Sequence, residues 1–236
     1  MATPEEVYGE CRGQLQLPGH IQGFDDWWRL QLDEVEAPNI GRGGWSRVET
    51  LTLASGERLY VKRQLNHCSR TLRHPLRGEP TLAREFSGLL ALAGLGIGVP
   101  EFVYYGTCVL PDGIAAVLVT RELAACISLE DYEPVIATMP RARRLLLLRQ
   151  LAELIARLHR GGYQHRNLYP KHVFVKPLDT TFELYLIDLE TMRRHWGVRR
   201  YWLRDIEVLH RRSPLWRNTE RLYFLLHYLG IKRLDA

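Results

Sequence analysis

The spacing of apolar residues predicts that the first half of the chain is rich in β-strands. Two stretches on either side of a turn at residues 54–57 are predicted to form a β-hairpin, with Tyr60 and Val61 supplying β propensity. Further on, apolar residues recur every three or four positions before Gly94, a pattern typical of a helix that ends at a glycine. The predicted elements of this half are strands over residues 47–53, 58–63, 99–106 and 114–121 and one helix over residues 81–93.

The second half is predicted to be richer in helices. Its strongest helical pattern begins at Pro140, which suits a first helical turn, and ends at Gly161. Two short apolar runs, residues 172–176 and 183–189, are then predicted to pair as a hairpin, and one or two helices are expected over residues 201–234. The pattern therefore predicts an α+β protein with a β-rich first part and a mainly helical second part.

Positive charge is concentrated in two segments of a chain whose formal net charge is +5. Residues 58–84 contain seven Lys or Arg and one acidic residue, and residues 193–217 contain eight and two. Such segregation is typical of surfaces that face nucleic acid, anionic lipid headgroups or phosphorylated glycans. Solvated surface charge explains either segment alone equally well.

The composition is that of a folded domain. Hydrophobic residues make up 46% of the 236 residues and charged residues 25%, which excludes a mainly disordered chain. The longest weakly polar stretch, residues 89–103, is interrupted by glycines and a proline and is too short for a membrane-spanning helix. The N-terminus has no secretory signal pattern, so a cytoplasmic protein is expected. The four cysteines lie far apart, which suits reduced thiols and offers no zinc framework.

Three glycines, Gly41, Gly43 and Gly44, precede the first predicted strand. Backbone N–H groups in such a loop can approach a phosphate closely because no side chain intervenes. The spacing matches neither a Walker A loop nor a complete GxGxxG pattern. On this motif alone, a phosphate-binding loop and a plain loop are both open.

A lysine and a glutamate occupy unusual places in the predicted elements. Lys62 lies within an apolar strand, and Glu85 lies on the apolar face of the predicted helix, between Leu82 and Leu89. A carboxylate on that face needs a partner, because burial of an unpaired charge is costly. Lys62 is the natural partner, and the alternatives are an outward-facing lysine and a glutamate that reaches water.

The second half contains His165-Arg166-Asn167, then His172, and then Asp188 after an apolar strand. An acidic residue that ends so apolar a run is typical of a metal ligand or of an acceptor that holds a loop. If the two apolar runs pair around Thr180, His172 lies opposite Asp188. The histidines have no further soft ligand at a suitable spacing, so zinc is not expected.

A glycine loop, a strand lysine, a helix glutamate, a His-Arg loop and an Asp after a buried strand follow the order found in protein-kinase-like phosphotransferases. Over about residues 40–210 the chain also resembles the bacterial lipopolysaccharide core kinase family, whose members phosphorylate heptose or Kdo sugars. The motifs that carry the resemblance are Val61-Lys62, Pro75-Leu-Arg-Gly78, Ala83-Arg-Glu85-Phe86, Gly98-Val-Pro100, Ile127-Ser-Leu-Glu-Asp-Tyr132, His159, His165-Arg166, His172 and Ile187-Asp188-Leu189.

The resemblance implies a two-lobed protein-kinase-like fold of the α+β class. The β-rich N-lobe would comprise residues 1–122 and the mainly helical C-lobe residues 123–236. It also implies ATP and Mg²⁺ as cofactors, with the adenine near Glu122 and Ala124.

The resemblance further implies roles for the residues named above. Lys62 would bind the α- and β-phosphates and be held by Glu85, and Asp188 would bind the Mg²⁺ that bridges the phosphates. Imidazole is a poor ligand for Mg²⁺, so His172 is expected to form a hydrogen bond or to contact a phosphate. The expected ATP-binding residues are Gly41, Gly43, Gly44, Lys62, Glu85, Glu122, Ala124 and His172, and the expected catalytic residues are His165, Asn167 and Asp188.

Asn167 departs from the family pattern, which has the catalytic aspartate of a His-Arg-Asp loop at this position. A neutral amide cannot take the proton of an acceptor hydroxyl, so general-base catalysis by this residue is lost. Phosphoryl transfer depends mainly on positioning and charge neutralisation, so a kinase is still compatible with the sequence. Two functions are open: a sugar kinase of the lipopolysaccharide core, and a pseudokinase that binds ATP and acts as a regulator or scaffold.

The expected partners are the lipopolysaccharide core or a related glycolipid and an anionic membrane surface. Contact with the latter could place the protein peripherally at the inner face of the inner membrane. Nucleic acid is not expected as a partner, because nucleic-acid binding explains none of the kinase-like residues.

Overall fold

Two compact units form the fold. The computed structural model describes residues 4–9, 15–41, 43–69, 78–195, 199–213 and 216–231, with residues 199–201 described as backbone only. One unit consists of Met1–Leu89 and Pro100–Leu123, and the other of Leu90–Val99 and Ala124–Ala236. Residues 90–99, which fall inside the predicted N-lobe, thus belong to the second unit. The Pro75-Leu-Arg part of one resemblance motif and the predicted helical end beyond residue 231 lie outside the described residues.

The first unit is built on an antiparallel sheet. Its elements are β1 (Glu5–Tyr8), α1 (Phe24–Arg29), β2 (Asp33–Glu34), β3 (Asn39–Gly41), β4 (Gly44–Thr52), β5 (Arg58–Leu65), β6 (Cys68–Ser69), β7 (Glu79–Pro80), most of α2 (Thr81–Gly94), β8 (Phe102–Leu110) and β9 (Gly113–Arg121). The strand order is β1-β8-β9-β5-β4-β2, and β3 also pairs with β4. β6 and β7 form a separate two-stranded pair.

The hairpin predicted over residues 47–63 is confirmed, and the two later strands predicted for this unit also pair with each other. β4 and β5 pair from Thr52 opposite Arg58 onward, as expected from the polar turn that separates them. β8 and β9 pair up to Leu110 opposite Gly113, so the connection is a tight turn. The helix predicted over residues 81–93 is also present, as α2.

The short helix α1, which the sequence analysis missed, covers the sheet with aromatic side chains. Phe24 and Trp27 are buried on it, and the ring of Trp27 stacks on Tyr104 with 5.9 Å between centroids. A helix of six residues contains too few turns for a periodic pattern to be recognised. These aromatic rings belong to the core that the sheet buries on this side.

A buried ion pair ties α1 to the sheet. Arg63 on β5 donates from Nε to Glu49 Oε2 on β4 at 2.6 Å, and its Nη2 also donates to Glu49. Its Nη1 donates to the backbone oxygens of Trp28 and Leu30, at 2.7 and 2.8 Å. The guanidinium therefore satisfies carbonyl groups at the end of α1 that the helix itself leaves free.

The described part of the second unit contains α-helices and short strands besides the end of α2. Its elements are β10 (Ile127–Ser128), α3 (Leu129–Thr138), α4 (Arg141–Arg160), β11 (Tyr163–Gln164), β12 (Val173–Pro177), β13 (Phe182–Leu186), β14 (Arg193–Arg194), α5 (Arg199–Arg211) and α6 (Asn218–Leu229). Two single turns of 3₁₀ helix occur at Pro170–His172 and Leu189–Thr191. The order of elements confirms the α+β class.

The long helix of this unit forms as its pattern predicts. α4 begins after Pro140 and ends at Gly161, and its apolar stripe is buried at Leu151, Ile155 and Leu158. α5 and α6 are the helices expected near the C-terminus. Among the described residues, no helix combines the length and the apolarity needed to cross a membrane.

The predicted hairpin of the second unit is present, but its predicted register is wrong by one residue. Val173 pairs with Leu186 and Pro177 with Phe182, so His172 faces Ile187 rather than Asp188. The backbone confirms this, because Ile187 N donates to His172 O at 3.1 Å. A change of one residue reverses the face to which a strand side chain points, so periodicity alone leaves the register open where both faces are partly buried.

Removal of Glu49 is expected to destabilise the first unit strongly. Glu49→Ala leaves the Arg63 guanidinium buried without a carboxylate, which costs about 3–5 kcal/mol. Glu101→Ala is the matched control, because Glu101 is 65% exposed and lies 3.6 Å from Arg121. Its loss is expected to cost about 0–1 kcal/mol. Urea unfolding measures both, and equal losses would contradict the importance of the buried pair.

Candidate functional site

The predicted pair of Lys62 and Glu85 is present in the first unit. Lys62 Nζ lies 2.6 Å from Glu85 Oε1, and the side chains are 26% and 8% exposed. Lys62 projects from β5 next to the fully buried Val61, and Glu85 lies on the buried face of α2 beside Leu82 and Phe86. The carboxylate is thus tolerated among apolar residues because the ammonium group compensates its charge. The ammonium group keeps part of its surface in contact with solvent.

The three glycines form the end of the β3–β4 hairpin. Gly41 and Gly44 are the last paired residues, and Arg42 lies outside the described residues. Gly43 has φ +83°, a conformation that residues with a Cβ rarely adopt, and no other group lies within 4 Å of a Cβ built there. A Cβ at Gly44 would lie 1.9 Å from Leu65 O, so that position accepts only glycine. Apart from its chain neighbours, no described residue lies close to the position that a side chain at Gly43 would occupy.

Glu122 and Ala124 follow β9. Glu122 donates its backbone N–H to Arg58 O at 2.9 Å, and its carboxylate lies 3.2 Å from Arg58 Nη1. Ala124 is exposed, and its carbonyl oxygen accepts a weak hydrogen bond from Cys126 Sγ at 3.6 Å. The N–H of Glu122 is thus already used by the sheet and is not available to a ligand.

In the second unit, Asn167, His172 and Asp188 lie together. Asp188 Oδ2 is 3.4 Å from Asn167 Nδ2 and 3.3 Å from His172 Nδ1. His172 Nδ1 is also 2.7 Å from the backbone oxygen of Asn167, which can only accept, so Nδ1 carries a proton. Asp188 itself adopts φ 59° and ψ 57°, an uncommon left-handed conformation that turns its carboxylate toward these two donors.

His165 lies beneath this cluster and is fully buried. Its Nε2 donates to Ile187 O at 3.0 Å, and its Nδ1 has no hydrogen-bond partner among the described residues. Burial lowers the pKa of His165, so the ring is neutral near pH 7. A neutral, buried ring suits a residue that positions the strand end before Asp188 rather than one that exchanges protons with solvent.

Asp205 is a residue of this site that the sequence analysis missed. Its carboxylate is 1% exposed and accepts the backbone N–H groups of His165 and Arg166, at 2.7 and 2.8 Å. It also accepts from His159 Nε2 at 3.2 Å, and His159 Nδ1 in turn lies 2.8 Å from the Tyr228 hydroxyl. A signal was available, because an aspartate next to Ile206 on the buried face of α5 requires partners.

The carboxylate of Asp188 fits Mg²⁺ better than any softer metal. Its side chain is 27% exposed, and Mg²⁺ is commonly held by one or two carboxylates together with substrate phosphates. The amide oxygen of Asn167 is a second oxygen ligand of suitable chemistry. Within the part of the chain that the structure describes, no group of three or more His, Cys, Asp or Glu could hold a metal without a substrate.

Comparisons with known proteins relate this chain to lipopolysaccharide kinases. Protein InaA of Escherichia coli (strain K12) is 33% identical over 173 residues, which are 72% of this chain and 79% of InaA. The lipopolysaccharide core heptose(I) kinase WaaP of the same organism is 30% identical over 174 residues. That match covers 70% of this chain and 59% of WaaP, so part of WaaP has no counterpart in the alignment.

The fold and the family are also shown. The solved structure of WaaP in complex with acyl carrier protein matches with a TM-score of 0.72 and 21% identity, over 97% of this chain and 90% of that one. This likeness confirms the predicted kinase-like fold class. The model of the family described as "Lipopolysaccharide kinase (Kdo/WaaP) family" matches residues 25–228, a range that contains every site residue described above. The chain therefore belongs to the lipopolysaccharide kinase (Kdo/WaaP) family.

Proposed function

We propose that the chain is an ATP-dependent kinase that transfers the γ-phosphate to a sugar hydroxyl, of heptose or Kdo, in the lipopolysaccharide core. The observation that carries this proposal is the ion pair of Lys62 with Glu85. Protein kinases use a strand lysine held by a helix glutamate to bind ATP phosphates. Membership of the lipopolysaccharide kinase family and the identity to WaaP support the lipopolysaccharide core as the acceptor.

Under this proposal, the first unit supplies contacts to ATP. The ammonium group of Lys62 contacts the α- and β-phosphates, and Glu85 keeps it in place. Gly41, Gly43 and Gly44 offer their backbone to the phosphates, because a residue without a Cβ permits close approach. The adenine would lie near Glu122 and Ala124, where the N–H of Glu122 is already used by a hydrogen bond to Arg58 O.

The second unit supplies the residues for the reacting end. Asp188 would hold Mg²⁺, which neutralises charge on the phosphates when it is bound. The acceptor oxygen forms a bond to the γ-phosphorus while the bond from that phosphorus to ADP breaks. Asn167 orients the acceptor hydroxyl through its amide but cannot take its proton. The proton therefore passes to an oxygen of the transferred phosphoryl group or to water.

A pseudokinase is the second candidate, and Asn167 is the observation that favours it. The amide donates toward Asp188 Oδ2, so the position that holds a proton acceptor in active kinases here holds a donor. Such a chain would bind ATP through Lys62 and Asp188 and act as a regulator or a scaffold. ATP binding is thus common to both candidates, and only phosphoryl transfer distinguishes them.

We propose that the protein is cytoplasmic and acts at the inner face of the inner membrane. The basic segments at residues 58–84 and 193–217 would lie near anionic glycolipid, which attracts cationic surfaces over about a Debye length.

Lys62→Ala is expected to reduce transfer of labelled γ-phosphate from Mg-ATP to lipopolysaccharide core at least about 100-fold, because a charge-stabilising group is lost. Lys176→Ala is the matched control, since Lys176 is also a strand lysine paired with a glutamate, at 3.2 Å from Glu183, but is half-exposed. Single-turnover assays measure transfer, and thermal melts show whether each variant is folded. Folded Lys62→Ala protein with unchanged transfer and unchanged ATP affinity would contradict the kinase proposal.

Asn167→Asp is expected to raise the transfer rate, by up to about 100-fold, because it introduces a proton acceptor. The new carboxylate also lies near Asp188, and two carboxylates this close disfavour ionisation of both, so the gain requires Mg²⁺. The transfer rate of this variant should fall at low pH, where the new carboxylate is protonated. The natural protein, which has no carboxylate at this position, should not show this fall. A lower rate at every pH would show that the amide itself is needed for positioning.

Asp205→Asn is expected to lower transfer by roughly tenfold or more and to destabilise the second unit by about 1–3 kcal/mol. An amide has one acceptor oxygen where the carboxylate has two, so one backbone N–H of His165 or Arg166 loses its partner. Glu207→Gln on the exposed face of the same helix is the control. The assay is transfer at temperatures well below the melting point; equal activity of both variants would refute the positioning role.

A further inference from the structure

Four exposed cations surround the loop that carries Asn167. Arg166 and Lys171 belong to the loop itself. Arg193 is on β14, opposite Gln164, which immediately precedes the loop. Arg212 follows α5, and its guanidinium carbon lies 5.6 Å from the centre of the Tyr169 ring in the loop. Three separate elements thus place cationic residues next to this loop.

None of these four side chains forms an ion pair with a described residue. Arg144 and Lys176 of the same unit have carboxylate partners, whereas the exposed Arg141 has none among the described residues, so the lack of a partner is informative only together with the position of the four around one loop. Like charges held around one loop repel one another, and this repulsion is relieved when an anion binds. An anionic ligand would therefore stabilise this arrangement of four cations, which repel one another when no anion is bound.

The loop backbone is constrained where the first cation projects from it. Arg166 adopts φ 73°, which a residue with a Cβ rarely does, and its N–H is held by the buried Asp205. Because the backbone is fixed on both sides of Asn167, Arg166 and Lys171 leave the loop from defined positions. A binding site made of such residues loses less conformational freedom on binding than one made of mobile residues.

We propose that Arg166, Lys171, Arg193 and Arg212 form a subsite for a phosphate group that the acceptor glycan already carries. This inference rests on the proposed function and specifies its acceptor: the sugar hydroxyl presented to Asn167 would belong to a glycan with a phosphomonoester nearby. Guanidinium groups bind phosphate oxygens in pairs of parallel hydrogen bonds, and a dianion matches several cations better than a single carboxylate does.

The same observations disfavour nucleic acid and an anionic membrane surface as the ligand of these cations. Nucleic acid binding usually adds aromatic rings on which bases stack, but the rings of Tyr169 and Tyr163 are covered here by Arg212 and Arg194. A membrane-surface helix collects its cations along one amphipathic face. In this case the cations come from a loop, a strand and a helix end. Cations that several elements place around one short loop suit a compact anion better than an extended one.

The test is equilibrium binding of two soluble probes to the full chain without ATP. The probes are lipid-free lipopolysaccharide core oligosaccharide that carries phosphate and the same oligosaccharide after chemical removal of its phosphate. Lys171→Gln and Arg212→Gln should each weaken binding of the phosphorylated probe by about tenfold, whereas Arg212→Lys should retain most of the affinity. Binding of the phosphate-free probe should be weak and unchanged by all three.

Arg141→Gln is the matched control. Arg141 is also an exposed arginine, but it begins α4, about 28 Å along the helix axis from the end that leads to the loop. The affinity of the Arg141→Gln variant for the phosphorylated probe should equal that of the natural protein.

Equal affinity for both probes, or equal affinity of Lys171→Gln, Arg212→Gln and Arg141→Gln, would overturn the subsite. Binding to vesicles of anionic phospholipid or to polyuridylate without binding to the phosphorylated oligosaccharide would overturn it as well. Phosphate-dependent binding that these variants lose, in a protein that shows no ATP-dependent transfer, would support the subsite while refuting the kinase. The two proposals therefore fail separately.

Discussion

A single buried carboxylate determines the shape of the loop that carries Asn167. Asp205 accepts the backbone N–H groups of His165 and Arg166, which would otherwise be buried without partners. It thereby stabilises the left-handed conformation of Arg166, which typically costs about 1–3 kcal/mol. Because Asp205 belongs to α5, the geometry of the loop depends on how that helix packs in the second unit. The candidate site is thus positioned by the core beneath it.

Above that support, the carboxylate of Asp188 lies within reach of two hydrogen-bond donors. Asn167 contributes an amide and His172 a ring nitrogen whose proton is directed to a backbone oxygen. The buried His165 is neutral because burial lowers its pKa. A site of this composition can orient groups and hold a cation, and charge neutralisation by a cation is the main requirement of the phosphoryl transfer proposed above.

Two neighbouring residues of β5 show how burial separates a structural ion pair from one available to a ligand. Arg63 is buried and uses its nitrogens on Glu49 and on carbonyl groups at the end of α1. Lys62 points to the opposite face of the sheet, where Glu85 holds it and solvent still reaches it. Both pairs place a charge on an apolar strand, but only Lys62 retains a surface that a phosphate could contact.

Local patterns in the sequence predicted most of the elements and the α+β class, because helices and hairpins arise from residues close in the chain. The pairing of Lys62 with Glu85 followed from a different argument, the cost of burying an unpaired carboxylate, and the sequence left two alternatives to it open. The six-residue α1 is too short for a periodic pattern to be recognised, and it is specified by aromatic contacts with the sheet. The register that places His172 opposite Ile187 and the hydrogen bond from His165 N–H to Asp205 were decided only by the tertiary structure. Periodicity is compatible with more than one register, and His165 and Asp205 are 40 residues apart, so only the packing of the whole unit selects which groups meet.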